Sequence, residues 1–195
     1  ISLISLILLL WGIPLYFFGW KLAKILIFPC AYLIFCVPLN FLDALSGPLQ
    51  MVATSMAYGL LNGLGIECER VGTQLMSPFF RLNVDAPCSG LRSLLAMTAL
   101  SAVYAYYTQK SFVAKWLLFL ASIPIAVAGN IGRIISIALV SITAGQQFGT
   151  GLHHDWSGYV LFALAISLMI GFGKLLQINY KESFRTWRKV YLSRS

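Results

Sequence analysis

The stretch KWLLFLASIPIAVAGNIGRIISIALVSITA, residues 115–144, holds only two charges, Lys115 and Arg133. It is too long for one upright membrane span of about 20 residues and too short for two spans with a loop between them. If AVAGNIGRIIS (126–136) were a turn, the basic flanks on either side would fall on opposite faces of the membrane, against the tendency of lysine and arginine to stay on one. One long helix removes the conflict. Lys115 and Arg133 are 18 residues apart, or about 27 Å at about 1.5 Å per residue, close to one hydrocarbon thickness. Arg133 is therefore expected at the outer boundary.

The rest of the chain supports a membrane setting. Of 195 residues, 59% are apolar and 10% are charged, and the apolar residues fall in blocks of roughly twenty, the pattern of a polytopic membrane protein. The chain opens inside an apolar block without an initiator Met, so it is expected to begin partway through a longer protein. Residues 1–20 lack the basic start and small-residue cleavage site of a signal peptide. The net charge of +8 comes from residues beside the ends of apolar blocks, where the positive-inside rule places them, which argues against nucleic acid as a partner.

Basic flanks orient the spans. Residues 1–20 end at Lys21 and Lys24, residues 25–42 at Asp43, residues 88–108 at Gln109 and Lys110, and residues 157–176 in a basic tail. With the lysines cytoplasmic, Asp43, segment 66–87 and Cys88 lie on the far side. Residues 44–64 then begin and end outside and read as a helix in the outer interface, one further span being the alternative. Segment 66–85 reads as a small extracytoplasmic hairpin. The expected fold is an all-α polytopic membrane protein: a helical bundle of about five spans, an outer interfacial helix and that hairpin. Residues 1–177 form the membrane domain. In 178–195, Tyr180, Phe184, Trp187 and Tyr191 recur at helical spacing among basic residues, so this tail reads as a basic amphipathic helix on an anionic inner leaflet, or as a flank that only sets topology.

Three places carry reactive side chains at the outer boundary. In DAPCSGLRS (85–93), Asp85 and Pro87 suit a helix start, which puts Cys88 in a first turn whose free N–H groups favour a thiolate. Arg92, four residues on, would share its face, and Gly90 permits close approach of a backbone or ligand. A disulfide between Cys68 and Cys88 is the plainer alternative. On the long helix, Ser122, Ala126, Gly129, Arg133 and Ser136 form a small-polar stripe suited to helix packing, with Asn130 and Arg133 at its outer end. An arginine facing a bundle interior is a functional hypothesis; one snorkelling to headgroups is not. His153 and His154 precede a span marked by Trp156 and Tyr159. Adjacent histidines are poor joint metal ligands, and the four cysteines, Cys30, Cys36, Cys68 and Cys88, show no CxxC spacing, so no metal or other cofactor is expected. Cys30 and Cys36 read as small lipid-facing or core residues.

Taken together, C-S-G-L-R-S at 88–93, N-x-x-R at 130–133 and H-D-W-S-G-Y at 154–159, each tied to a span in this order, resemble the exosortase/archaeosortase family of integral-membrane cysteine transpeptidases over about residues 20–175. The resemblance implies a catalytic Cys88, Arg133 and His154, the histidine pointing to the bacterial exosortase branch. Ser89, Gly90, Arg92 and Asn130 would support them or bind substrate. It further implies a cysteine protease/transpeptidase of the bacterial inner membrane with its site on the extracytoplasmic side. Its partners would be membrane lipids and exported proteins carrying a C-terminal PEP-CTERM-like signal: a short motif, a transmembrane helix and a basic end. A non-catalytic transporter or assembly scaffold is the alternative, and a plain cysteine hydrolase differs only in the acceptor.

Overall fold

The computed structural model describes residues 2–37, 40–84 and 90–192, leaving aside the side chains of 2, 40–45, 150, 152–155 and 178–192. The chain divides into two compact units, 1–43 and 44–195.

The first unit is α1 (Ser2–Tyr32) followed by a short 3-10 helix, Leu33–Cys36. Gly19, at φ 72° and ψ −172°, breaks α1 into two arms. Twelve residues of straight helix would hold Trp11 and Ala23 about 18 Å apart, yet the Trp11 indole N–H donates to the Ala23 carbonyl at 2.9 Å. The rings of Trp11 and Trp20 also meet edge to face with centroids 6.1 Å apart. The arms therefore fold back toward each other, with Lys21 and Lys24 just past the bend.

The second unit opens with most of α2 (Asn40–Gly63). A left-handed Gly65 (φ 82°) ends this helix, its N–H bonding Asn62 O at 2.9 Å while the Ile66 N–H reaches back to Leu61 O at 3.1 Å; a glycine in this place satisfies the last free carbonyls. The expected two-strand hairpin is instead a three-stranded antiparallel meander: β1 (Glu69–Val71), β2 (Gln74–Ser77) and β3 (Phe80–Asn83). Gly72, at φ 64°, makes the first tight turn, between paired Val71 and Gln74. Pro78 and Phe79 make a second, between paired Ser77 and Phe80, which adds the third strand. Leu75, Phe80, Leu82 and Val84 are buried in one cluster with Ala53, Ala57 and Leu61 of α2.

The same cluster takes in Ile131, Ile134, Ile137 and Ala138. These belong to α4 (Phe112–Ala144), a single helix of 33 residues. The sequence stays apolar beyond one membrane thickness because its second half is core for the sheet and α2. Its first half packs elsewhere: Leu118 and Ala126 are buried with Met97 and Ala105 of α3 (Leu91–Thr108) and with Ala165 and Met169 of α6 (Leu152–Leu192). The short α5 (Gln146–Thr150) ties α4 to the sheet, the Gln146 side-chain amide donating to Arg81 O at 3.2 Å. The backbone of α6 runs as one helix through residue 192, so the basic tail continues the last span without a helix break.

Among the described residues three helices are long and apolar enough to cross a membrane, Leu3–Cys36, Phe112–Ala144 and Trp156–Gln177, with mean hydropathies of 2.0, 1.9 and 2.0.

Candidate active site

The site is built where α3, α4 and α6 meet. Gly90 caps α3 in the left-handed region, at φ 79°. Its carbonyl accepts the first helical bond, from Leu94 N at 2.8 Å, and a second from Ser93 Oγ at 2.8 Å. Asn130 of α4, only 7% exposed, lies against this cap. A β-carbon on Gly90 would stand 2.8 Å from both Cγ and Nδ2 of Asn130, closer than side chains pack. Glycine is thus required twice over, by the backbone angle and by the neighbour.

Almost one turn further along α4, the Arg133 guanidinium lies across the backbone of α6 at Gly158. A β-carbon there would be 3.3 Å from Cζ, 3.4 Å from Nη2 and 3.5 Å from Nε, and Nε is buried. Where α4 passes α6, Gly129 of the predicted stripe faces the Ala165 methyl and Gly132 faces Leu161, each with room for a β-carbon, at 3.7 Å and 3.9 Å. Between the three helices is a small cleft of about 50 Å³, with Ser93, Asn130 and Arg133 on its polar side and Met97, Phe162 and Ala165 among its apolar walls. A polar group next to Arg133 here would meet a cation in surroundings of lower dielectric than water, where its field acts more strongly.

Of the residues proposed from sequence, Gly90, Asn130 and Arg133 come together. Cys88 and Ser89 lie outside the described residues. The backbone of His153 and His154 forms the start of α6. Position 154 lies one helical turn before Gly158, in register with Leu161, Phe162 and Ala165, whereas position 153 leads to Ser157, Val160 and Leu164. Val160 and Leu164 are exposed, while Ser157 is buried. Arg92 is not brought to the cleft: it is exposed, while Ser93 and Met97 turn inward. The described helix begins at Leu91, so the one-turn relation expected between 88 and 92 rests on a residue outside the description. Cys68 carries a free thiol, which sets aside the disulfide alternative. It is buried, with Sγ 3.8 Å from Asn62 Oδ1, and burial pushes its pKa up.

Ser93 and Gly158 were not singled out from sequence, although both stand inside the quoted motifs. The step of four from His154 to Gly158 was the available signal.

No curated protein and no solved structure matches the chain. The sequence profile of the transmembrane exosortase family matches residues 1–171. That stretch includes all three apolar helices up to the middle of α6 and every residue named in the cleft, and on this ground the chain is a multi-pass membrane protein belonging to the transmembrane exosortase family.

Proposed function

We propose that the protein is a membrane-embedded cysteine protease and transpeptidase that cleaves the C-terminal sorting signal of exported proteins and passes them to an acceptor. The signal would be PEP-CTERM-like: a short motif, an apolar helix and a basic end. The observation that carries the reading is the seating of Arg133 on α6 at Gly158, one helical turn from position 154, at the polar side of a cleft between α3, α4 and α6.

In this mechanism the Cys88 thiolate attacks the scissile carbonyl. Arg133 donates hydrogen bonds to the oxyanion of the tetrahedral intermediate, which collapses to an acyl-enzyme on Cys88. His154, as imidazolium, gives its proton to the leaving amine, then takes one from the acceptor nucleophile as that nucleophile displaces the cysteine. Asn130, held against Gly90, keeps α3 and α4 in register beside Arg133. Water as acceptor would make the same machinery a hydrolase.

The membrane arrangement that goes with this mechanism has five spans: the two arms of α1, then α3, α4 and α6. The site faces the extracytoplasmic side of a bacterial inner membrane, and the basic tail from 178 onward extends α6 on the cytoplasmic side, where its charge fixes the topology. Lipids surround the bundle, and the substrate's own apolar helix enters from the bilayer.

The test is a pulse-chase of a reporter protein ending in such a signal, co-expressed with wild type, Cys88→Ala or Cys88→Ser. Both variants should insert normally and leave the reporter uncleaved, because neither methyl nor alcohol replaces a thiolate. Normal cleavage by Cys88→Ala removes the catalytic reading and leaves a transporter or scaffold.

A further inference from the structure

We infer that Gly158 is a positioning residue for Arg133: its bare α-carbon is the seat that sets where the guanidinium lies relative to the first turn of α6. The inference rests on the catalytic reading of Arg133 above.

Three glycines lie where α4 and α6 meet, and they are not equivalent. At Gly129 and Gly132 an added methyl would find ordinary van der Waals room, 3.7 Å from the Ala165 β-carbon and 3.9 Å from Leu161 Cδ2. At Gly158 the methyl would press on Cζ at 3.3 Å and lie in contact with Nη2 at 3.4 Å and Nε at 3.5 Å. These atoms belong to one rigid plane, so the group yields as a whole. Its Nε is already buried, which limits where it can go, and the displacement needed is a few tenths of an ångström. Helix propensity gives no reason for glycine here, since alanine is the better helix former. Close packing of α4 on α6 gives none either, since the neighbouring glycines leave space. What glycine supplies at 158 is a flat floor for the guanidinium one turn from the position assigned to proton transfer.

A donor aimed at an oxyanion loses effect when it is displaced, and misplacement of about 1 Å can cost about a hundredfold in rate. A shift of a few tenths should cost about tenfold, and only in the chemical step. The experiment uses the full chain in proteoliposomes with a purified reporter ending in motif, apolar helix and basic end, and compares Gly158→Ala with Gly132→Ala. Gly158→Ala is expected to lower kcat about tenfold with KM within about twofold and a melting temperature in detergent no lower than wild type. Gly132→Ala, which lines no part of the cleft, is expected to keep kcat. Gly158→Ser, which adds one more atom at the same place, stands in should the alanine variant fail to accumulate, with a loss at least as large. Unchanged kcat in Gly158→Ala, an equal loss in Gly132→Ala, or a loss that tracks a lowered melting temperature overturns the inference. Arg133→Ala and Cys88→Ala run beside them: if these also retain cleavage, the functional reading has failed rather than the seat.

Discussion

Asn130 occupies the space that a side chain at Gly90 would need, with Cγ and Nδ2 both 2.8 Å from the position of a β-carbon. Because Gly90 also sits at φ 79° as the cap of α3, this one residue sets both the start of that helix and its distance from α4. Gly90→Ala should therefore destabilise the protein, by about 1–2 kcal/mol for the left-handed backbone and by about 1–3 kcal/mol more for the overlap. Thermal unfolding in detergent measures it. The companion variant Asn130→Ala in a Gly90→Ala background should recover part of the loss by removing the overlap, and failure to recover any would mean that Asn130 is not the obstacle.

Arg133→Lys should be nearly as damaging as Arg133→Ala. An ammonium is a point donor on a flexible stem and cannot reproduce a planar guanidinium seated on Gly158. Loss of one oxyanion donor costs about a hundredfold or more in rate. Reporter cleavage by the two variants decides it: a lysine variant that keeps most of its activity would make Arg133 a headgroup anchor.

His154→Ala should suppress cleavage while His153→Ala should not, because position 154 lies one turn before Gly158, where the Arg133 guanidinium is seated. The sidedness behind this can be read separately. With the four native cysteines replaced by alanine, Thr150→Cys should react with a membrane-impermeant maleimide from outside and Ser183→Cys should not. The opposite labelling would place position 154 and the outer face on different sides of the bilayer and end the proposed division of roles.

Cys68 lies in the loop before β1, buried and with its pKa raised by loss of hydration. A thiol whose folded pKa lies above its unfolded value favours the folded state below the unfolded pKa, and that contribution is lost as pH rises above it. The melting temperature of wild type should therefore fall between pH of about 8 and about 10 more steeply than that of Cys68→Ala, and iodoacetamide should modify Cys68 in the folded protein only at pH above the ordinary thiol range. Since the thiol is free, Cys68→Ala should leave reporter cleavage unchanged. A loss of activity in that variant, matched by reducing agent on wild type, would restore the disulfide.

Much of the bundle follows from the sequence alone, because hydrocarbon thickness and the sidedness of lysine and arginine are properties of the membrane and need no tertiary contacts. The spacing from Lys115 to Arg133 was enough to make α4 one helix, and charge at Lys21 and Lys24 marked the bend that Gly19 makes. The three motifs were legible for a similar reason: 88–93 and 154–159 stand beside the starts of apolar blocks and Arg133 stands 18 residues from Lys115, so the expected depth of each can be counted. Depth along a helix is a local quantity, fixed by a rise per residue.

Rotation about a helix is different, because it depends on where the helix begins and on what packs beside it. With α3 beginning at Leu91 and Gly90 held against Asn130, Ser93 turns into the cleft and Arg92 turns out, a rotation that residue spacing alone does not give. The third strand likewise depended on Pro78 and Phe79 forming a turn that only the buried row of Leu75, Phe80 and Leu82 selects. The seat of Arg133 on Gly158 joins residues 25 positions apart in the chain, on two helices that meet only in the packed bundle. No pattern within either helix carries that distance. It exists only once α4 and α6 have packed.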